Sequence, residues 1–276
     1  MPELPEVETV KSGLASAIEG QVLSDVECRV GKLRWPVPEG FADRLRGRRL
    51  LRLSRRAKYI LGHFDDQTVL LLHLGMSGRM TITDHRPALL QKHDHIIFTS
   101  ANGKVVCFND ARRFGSVHLA TTDSINSHPL IAGLGPEPLG NAFSGPVLAA
   151  ALKGRKTAIK PTLLNQKLLA GVGNIYASEA LFRAGISPRR MANSVSGQRA
   201  ERLAQAIRHV LEDAIAAGGS SLRDHVQPSG ELGYFQHAFN VYDRAGEPCP
   251  NAGCGRPLQR LVQTGRATFF CSNCQR

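Results

Sequence analysis

The chain begins with apolar residues at helical spacing. Val7, Val10, Leu14 and Ile18 recur every three or four residues, and Gly20 follows them as a stop signal. One face of a helix would collect all four side chains, so the pattern predicts a single amphipathic helix at the N-terminus.

Short runs rich in β-branched and aromatic residues fill positions 22–119. Turn signals separate the runs, among them Asp65-Asp66 and Asn102-Gly103. Six strands are predicted from the runs, at about 48–53, 58–64, 68–74, 94–99, 104–108 and 114–119. We expect these strands to form a β-sandwich or a flattened barrel.

The second half of the chain has a different pattern. Pro and Gly crowd into 121–143, which is linker composition, and helical spacing dominates afterwards, with a long helix predicted from about 197 to 217. Short strands return at the end of the chain. We therefore predict an α+β protein, with domains at 1–120, 144–237 and 238–276 joined by a linker at 121–143.

The chain is strongly basic. Its 35 Lys and Arg against 23 Asp and Glu give a net charge of +12, and residues 44–58 hold eight bases and no acid. Bases that alternate with leucines suggest a strand face that binds phosphates, although a solvated face, heparin or an acidic protein would fit equally well. No apolar run approaches the roughly 18 residues of a membrane span, and four glutamates occupy the first twenty positions, so we expect a cytosolic protein.

Four of the six cysteines lie near the C-terminus, in the arrangement Cys249-x4-Cys254-x16-Cys271-x2-Cys274. Two chelating pairs joined by a hairpin supply the four soft ligands that tetrahedral Zn²⁺ prefers. Two alternatives remain: the four cysteines could bind an iron–sulfur cluster, or they could be unrelated buried thiols. We predict one structural zinc ion.

A glycine turn precedes the helix predicted to begin at Asn174. Gly171 and Gly173 suggest a dinucleotide fingerprint, but Tyr176 stands where its third glycine belongs. The remaining feature is a tight turn whose helical N–H groups could hold a phosphate, or a plain turn between two helices.

The N-terminus carries a candidate nucleophile. Removal of the initiator Met1 would leave Pro2 as a secondary amine, which can form an iminium with a sugar C1′. Glu3 could then transfer protons. The alternative is structural, because Glu3 and Glu6 would also favour the positive end of a helix dipole.

Taken together in order along the chain, the motifs resemble those of bacterial formamidopyrimidine-DNA glycosylase from end to end. The matching segments are MPELPEVE at 1–8, RRAKY at 55–59, HLGMSG at 73–78, KHDH at 92–95, RRFG at 112–115, IKP with GVGNIYASE at 159–179, LRD with GYFQ at 222–236, and the terminal cysteines.

The resemblance implies a fold and a function. The fold is an N-terminal helix with a β-sandwich, then a helix–two-turn–helix domain, then a zinc-finger β-hairpin, with DNA gripped between the domains. The function is excision of oxidised purines, 8-oxoguanine opposite cytosine and formamidopyrimidines, from double-stranded DNA, followed by β,δ-elimination at the resulting site. We expect a monomer.

The same resemblance implies roles for individual residues. Pro2 would be the Schiff-base nucleophile, Glu3 the general acid, Lys58 an aid to β-elimination, and Arg266 the δ-elimination residue. Met76, Arg112 and Phe114 would fill the gap left by the extruded nucleotide. The other DNA contacts would come from His93, Arg155, Lys160 and Asn174, and a loop at 218–236 would cover the lesion.

Two other functions are compatible with parts of this pattern. An endonuclease VIII-type enzyme for oxidised pyrimidines would share the general plan, although the first eight residues and the Arg112–Phe114 segment favour the purine enzyme. A zinc-finger DNA-binding protein without catalysis would explain the charge and the cysteines. Ser77 follows Met76 where some relatives carry Glu, so we assign it no base-reading role.

Overall fold

In the computed structural model, which describes residues 2–220, 228 and 233–276, the chain divides into two units. The first unit comprises Met1–Ala132 with Ala217–Gln236, and the second comprises Gly133–Ala216 with His237–Arg276. Among the described residues, no helix has both the length and the apolarity to cross a membrane.

The predicted N-terminal helix forms as α1, Leu4–Ile18. Pro5 stands in its first turn, where the missing N–H costs no hydrogen bond. The four apolar side chains of the predicted stripe are all buried in the core of the first unit. Because that core also contains side chains from the strands, α1 is fixed firmly at its position in the fold.

The strands described in the first unit form two antiparallel four-stranded sheets, as the predicted sandwich requires. One contains, in spatial order, β1 (Leu23–Cys28), β6 (Asp94–Ser100), β7 (Val105–Asn109) and β5 (Arg79–Thr83). The other contains β2 (Leu50–Arg56), β3 (Tyr59–Phe64), β4 (Thr68–His73) and β8 (Ser116–Thr121). A short helix, α2 (Phe41–Leu45), lies between β1 and β2.

The six predicted strands are confirmed to within a few residues, but β1 and β5 are strands that the pattern did not predict. In β1 the register shifts between Leu23 and Asp25, so the buried Leu23 and Val26 are three residues apart. This bulge breaks the two-residue period on which strand prediction depends. In β5 only Met80 is buried, because the strand lies at the edge of its sheet.

Helices dominate the second unit. Its α-helices are α3 (Gly145–Leu152), α4 (Ile159–Leu163), α5 (Asn174–Arg183) and α6 (Gln198–Ala216), and a hairpin of β9 (Gln259–Gln263) and β10 (Arg266–Phe270) follows them. The long predicted helix is confirmed as α6, which packs against α3 and α5. Together the two units give the α+β class and the element order that the sequence predicted.

Candidate functional site

The N-terminus is buried and held in a defined position. Pro2 is buried, and the side chain of Glu3 is only 2% exposed. Glu6 Oε2 accepts a hydrogen bond from the backbone N–H of Glu3 at 2.9 Å. Glu6 Oε1 accepts two more, from the backbone N–H of Ser220 at 2.9 Å and its hydroxyl at 3.0 Å. Glu6 therefore fixes the backbone on which Pro2 and Glu3 stand.

Lys58 lies in the tight turn between β2 and β3 and is also buried. Ala57 precedes it in the left-handed backbone region, with φ of 52°. Arg55 supports the turn, since its guanidinium donates to the carbonyl of Ala57 at 2.9 Å and to Glu8 Oε2 at 2.7 Å. Because Glu8 belongs to α1, this ion pair attaches the Lys58 turn to the N-terminal helix.

His73 ends β4 close to this turn. Its ring centroid lies 4.9 Å from that of Tyr59, and its Nδ1 accepts a hydrogen bond from the Gly75 N–H at 2.9 Å. Burial, together with the positive charges of Lys58 and Arg34, lowers the pKa of His73 from 6.5 to about 4. The imidazole is therefore neutral at physiological pH, with Nδ1 available as an acceptor.

Met76, Arg112 and Phe114 occupy two neighbouring loops, one after β4 and one between β7 and β8. The Arg112 guanidinium carbon lies 4.9 Å from the centre of the Phe114 ring, and both side chains are exposed. The loops are in backbone contact, because a Cβ on Gly75 would lie 2.3 Å from the carbonyl carbon of Phe114. The structure thus brings the three predicted gap-filling residues to one place.

His93 lies at the entrance to β6 and is half-buried. Its ring is 6.0 Å from that of His95, and within the described structure its buried Nδ1 has no hydrogen-bond partner. The backbone carbonyl of His93 accepts a hydrogen bond from the N–H of Asp110 at 3.1 Å. His93 is thereby connected to the segment that carries Arg112.

In the second unit, Lys160 and Asn174 form a buried polar cluster. Lys160 is 1% exposed, and its ammonium donates to Asn174 Oδ1 at 2.7 Å, Ala267 O at 2.8 Å and Thr268 Oγ1 at 2.9 Å. Asn174 Nδ2 donates to the same Ala267 carbonyl at 2.9 Å. Asn174 is the first residue of α5, after a Gly173 cap, so the predicted turn and helix start are both present.

Glu179 holds the segment 240–242, which places Tyr242 beside this cluster. This fully buried carboxylate accepts hydrogen bonds from the backbone N–H groups of Asn240, Val241 and Tyr242 and from the Asn240 amide, at 2.8 to 3.0 Å. The Tyr242 hydroxyl in turn lies 3.4 Å from the Asn174 amide nitrogen.

Arg155 and Arg266 lie at exposed positions of the second unit. Arg155 follows α3, where its Nε donates to the Ala151 carbonyl at 2.8 Å. Arg266 begins β10, after a turn in which Thr264 and Gly265 both have positive φ. Both guanidinium groups are accessible to solvent, as contacts to a phosphate would require.

The four C-terminal cysteines converge. Their sulfurs lie within 4.8 Å of one another, with 3.8 Å between Cys249 Sγ and Cys274 Sγ and 3.7 Å between Cys254 Sγ and Cys271 Sγ. A tetrahedral ion with Zn–S bonds of about 2.3 Å places its sulfurs about 3.8 Å apart. The residues therefore fit one structural zinc ion.

The basic run at 44–58 is partly neutralised inside the first unit. Arg46 pairs with Asp25 and Asp43, and Arg48 pairs with Asp66. Arg55 forms the ion pair with Glu8 of α1 described above. These pairs reduce the positive charge that the run offers to a phosphate.

Sequence reasoning missed several residues that support the candidate site. Asp110, Glu179 and Tyr242 were given no role, and Glu6 was considered only for its charge near the start of a helix. Asp110 lies two residues before Arg112, and Glu179 lies five residues after Asn174, within its matching segment. Those positions are the only signal that could have identified them.

Comparison with known families gives matches along most of the chain. A family model described as the formamidopyrimidine-DNA glycosylase N-terminal domain matches residues 1–117. A second, the formamidopyrimidine-DNA glycosylase H2TH domain, matches residues 134–226. A third, described as a zinc finger found in FPG and IleRS, matches residues 246–276.

Individual relatives agree with the family models. The formamidopyrimidine-DNA glycosylase of Azorhizobium caulinodans is 56% identical, with all of both chains covered. A Lactococcus lactis FPG mutant, solved in complex with DNA containing Fapy-dG, is 35% identical with a TM-score of 0.90 and 99% of each chain covered. A MutM structure in complex with DNA containing carbocyclic 8-oxo-G is also 35% identical, with a TM-score of 0.88 and 99% of each chain covered.

Proposed function

The chain belongs to the formamidopyrimidine-DNA glycosylase family, and on this premise we propose how its own residues carry out the family's reaction. It is a base-excision repair enzyme that removes oxidised purines, 8-oxoguanine opposite cytosine and formamidopyrimidines, from duplex DNA and cleaves the strand as an AP lyase. The observation that carries the assignment of residues is the buried Pro2–Glu3 terminus, which α1 attaches to the Lys58 turn.

The first chemical step uses the N-terminus. After Met1 is removed, the Pro2 nitrogen attacks C1′ of the extruded nucleotide, and the N-glycosidic bond breaks as the base leaves with the bonding electrons and takes up a proton. Glu3 protonates the ring oxygen as the C1′–O4′ bond opens, which leaves an iminium between Pro2 and C1′.

The iminium then draws electrons away from the sugar. Loss of a C2′ proton expels the 3′-phosphate by β-elimination, and a second elimination expels the 5′-phosphate. Lys58 assists the first step and Arg266 the second. The burial of Lys58, in the turn that the Arg55–Glu8 ion pair attaches to α1, supports this role.

The nucleotide reaches this site only when it leaves the base stack, which costs a few kcal/mol. Met76, Arg112 and Phe114 offset that cost by filling the vacated space, with Arg112 facing the cytosine. Their common location supports the proposal. His93, Arg155, Lys160 and Asn174 bind phosphates, which position the duplex without reading its sequence.

The zinc ion has a structural task. Bound by the four cysteines, it holds the β9–β10 hairpin, on which Arg266 and the Lys160 acceptors stand. No chemical step passes through it.

The lesion-covering loop proposed at 218–236 lies partly outside the described residues, since 221–227 and 229–232 are not described. Its described base supports the assignment, because Ser220 is bound to Glu6 beside the proposed nucleophile. We also propose the domain organisation predicted from the sequence, with domains at 1–120, 144–237 and 238–276 joined by a linker at 121–143. We propose that the protein acts as a monomer in the cytoplasm and is located on the nucleoid when bound to DNA.

The test is an excision panel with the full-length protein. Duplexes carry 8-oxoguanine opposite cytosine, thymine glycol or no lesion, and release of the base and strand cleavage are measured separately. We expect 8-oxoguanine to be excised fastest and the undamaged duplex to stay intact. Faster excision of thymine glycol would favour the endonuclease VIII-type reading, and binding without cleavage would favour the non-catalytic one.

A further inference from the structure

Asp110 lies at the junction of the segments that carry the proposed DNA contacts of the first unit. It is fully buried and follows directly after β7. The loop with Met76, the loop with Arg112 and Phe114, and the start of β6 with His93 all converge on it. No step of the proposed reaction uses this residue.

The Asp110 carboxylate joins the first two of these segments. Its Oδ1 accepts a hydrogen bond from the Ser77 hydroxyl at 2.6 Å, and its Oδ2 accepts one from the Gly115 N–H at 2.7 Å. The Ser77 oxygen in turn accepts a hydrogen bond from the backbone N–H of Arg112 at 3.1 Å. The hydroxyl thus both donates and accepts, and it links the residue after Met76 to the backbone of Arg112.

The Asp110 backbone joins the third segment. Its N–H donates to the carbonyl of His93 at 3.1 Å, and its own carbonyl accepts a hydrogen bond from His95 Nε2 at 2.9 Å. The same carbonyl accepts from the Arg113 N–H at 3.2 Å. One residue therefore connects all three DNA-facing segments by hydrogen bonds.

The loop that receives these bonds has an unfavourable backbone conformation. Arg113, between the two proposed gap-filling residues, has φ of 54°, which an L-residue adopts only at a cost in free energy. Hydrogen bonds on both sides of Arg113 hold the conformation: the Arg112 N–H donates to the Ser77 hydroxyl oxygen, and the Gly115 N–H donates to the Asp110 carboxylate. Without them, Arg112 and Phe114 would not be held in a fixed position next to Met76.

We propose that Ser77 and Asp110 are positioning residues that hold the Met76 loop and the Arg112–Phe114 loop ready to enter the DNA gap, and that they act on extrusion of the damaged nucleotide. The proposal rests on the proposed function and deepens it. Neither residue contacts the reacting sugar. Their loss slows the reaction where a stacked, paired nucleotide must be displaced and leaves the cleavage chemistry unchanged.

Ser77→Ala tests the proposal most cleanly. It removes both bonds of the hydroxyl and leaves the bond between Asp110 and Gly115 in place. Ser54→Ala is the control, because it removes a hydroxyl of the first unit that lies in β2, 2.8 Å from His63 Nε2, and outside both loops. Single-turnover rates are measured on duplex 8-oxoguanine opposite cytosine and on a single-stranded oligonucleotide with an abasic site.

The single strand has no opposite base, no stack to open and no gap to fill. We expect Ser77→Ala to lower the duplex rate by about tenfold or more, since removing one partner leaves the others unsatisfied, and to change the single-strand rate by less than about twofold. A 2-aminopurine next to the lesion reports unstacking, and its fluorescence rise is expected to slow with the duplex rate. Ser54→Ala should match the wild type in every assay.

Asp110→Asn supplies a second variant of almost unchanged shape. Its amide oxygen can still accept from the Gly115 N–H, but its NH₂ group faces Ser77 and cannot accept the hydroxyl proton. We expect a smaller loss on the duplex than in Ser77→Ala. In the double variant the loss should be smaller than the product of the two single losses, because the two residues act through one hydrogen bond.

Other outcomes would overturn the proposal. Equal loss on duplex and single strand would mean that the hydroxyl supports the fold or the chemistry, and an unchanged duplex rate would mean that the loops do not need it. If Ser77→Ala fails to fold, the duplex and single-strand rates of Asp110→Asn decide by the same criterion. If the wild type itself leaves 8-oxoguanine in place, the proposed function fails first, and that result is distinguishable from a loss confined to the variants.

Discussion

At the scale of single residues, the buried carboxylates are held by dense sets of donors. A buried charge is costly unless hydrogen bonds compensate it. Glu6 accepts from Glu3 and Ser220, and Glu179 accepts four bonds from residues 240–242. Glu6 holds the backbone next to the proposed nucleophile, and Glu179 holds the segment that places Tyr242 beside Asn174, so both contribute to function through geometry.

His73 gives a pH-dependent prediction at this scale. Its pKa is lowered from 6.5 to about 4, so between these values the unfolded chain binds a proton that the folded protein does not. Stability should therefore fall as the pH falls through this window. Between about pH 7.5 and about pH 5 the contribution of His73 is a loss of about 1–2 kcal/mol in the free energy of unfolding.

The measurement is denaturant unfolding of the wild type and of His73→Asn at both pH values. The Asn side chain can accept the Gly75 N–H but does not titrate, so the variant keeps the effects of all other groups. We expect the wild type to lose more stability than the variant. Equal losses would show that the pKa of His73 is not lowered in the folded protein.

The same scale shows what sequence could and could not identify. Lys160 and Asn174 were both named as DNA contacts because the family resemblance covers their segments, and in the structure Lys160 Nζ lies 2.7 Å from Asn174 Oδ1. Ser77 and Asp110 are 33 residues apart, and their contact forms only when β5, β6 and β7 have been assembled. Contacts of this kind cannot be inferred from spacing along one chain.

At the scale of secondary-structure elements, the β9–β10 hairpin depends on the cysteine cluster. Only five residue pairs join its strands, and a two-stranded hairpin alone is marginal in water. Cys249 and Cys271 are part of a small apolar core with Leu258 and Phe269. Zinc bound there supplies the folding free energy that so small a core lacks.

Removal of zinc should therefore release the hairpin. After chelation, Lys160 loses the Ala267 and Thr268 acceptors, and Arg266 loses its fixed position. We expect the affinity for lesion-containing duplex to fall by about tenfold or more, because a charged contact and its supporting hydrogen bonds are lost together. Zinc content and DNA affinity are measured on the same samples.

Two variants sharpen this experiment. Cys271→Ser should lower the zinc content and the DNA affinity together. Cys28→Ser changes a free cysteine of the first unit, outside the cluster, and should change neither. A zinc-free protein with unchanged affinity would contradict the structural role of the ion.

Elements with an undisturbed period were predictable, and those with a disturbed period were not. The stripe of α1 and the alternation in most strands identified them from sequence. The bulge in β1 hides its period, and the single buried residue of edge strand β5 leaves no period to detect. The convergence of the four cysteines was predictable, because two closely spaced cysteine pairs joined by a hairpin are a specific signal for a metal site. The hydrophobic pattern of an edge strand is a much weaker signal.

At the scale of the whole molecule, the two units hold different parts of the proposed machinery. The first carries the proposed nucleophile, general acid and gap-filling residues, and the second carries the proposed phosphate contacts Arg155, Lys160 and Asn174 and the zinc hairpin. Family membership extends over the whole chain, so both sets belong to one reaction. The net charge of +12 suits a DNA substrate, although ion pairs neutralise part of the basic run that first suggested it.

The central claim is that Pro2 forms a covalent iminium with the damaged nucleotide. The most direct measurement is borohydride trapping on a duplex with 8-oxoguanine opposite cytosine, with Pro2→Gly, Glu3→Gln and an undamaged duplex as controls. Borohydride reduces the iminium to a stable crosslink, whose position peptide mass then identifies. We predict a lesion-dependent crosslink at Pro2 that is lost in Glu3→Gln; a crosslink at a lysine, or none from zinc-loaded protein without Met1, would contradict the account.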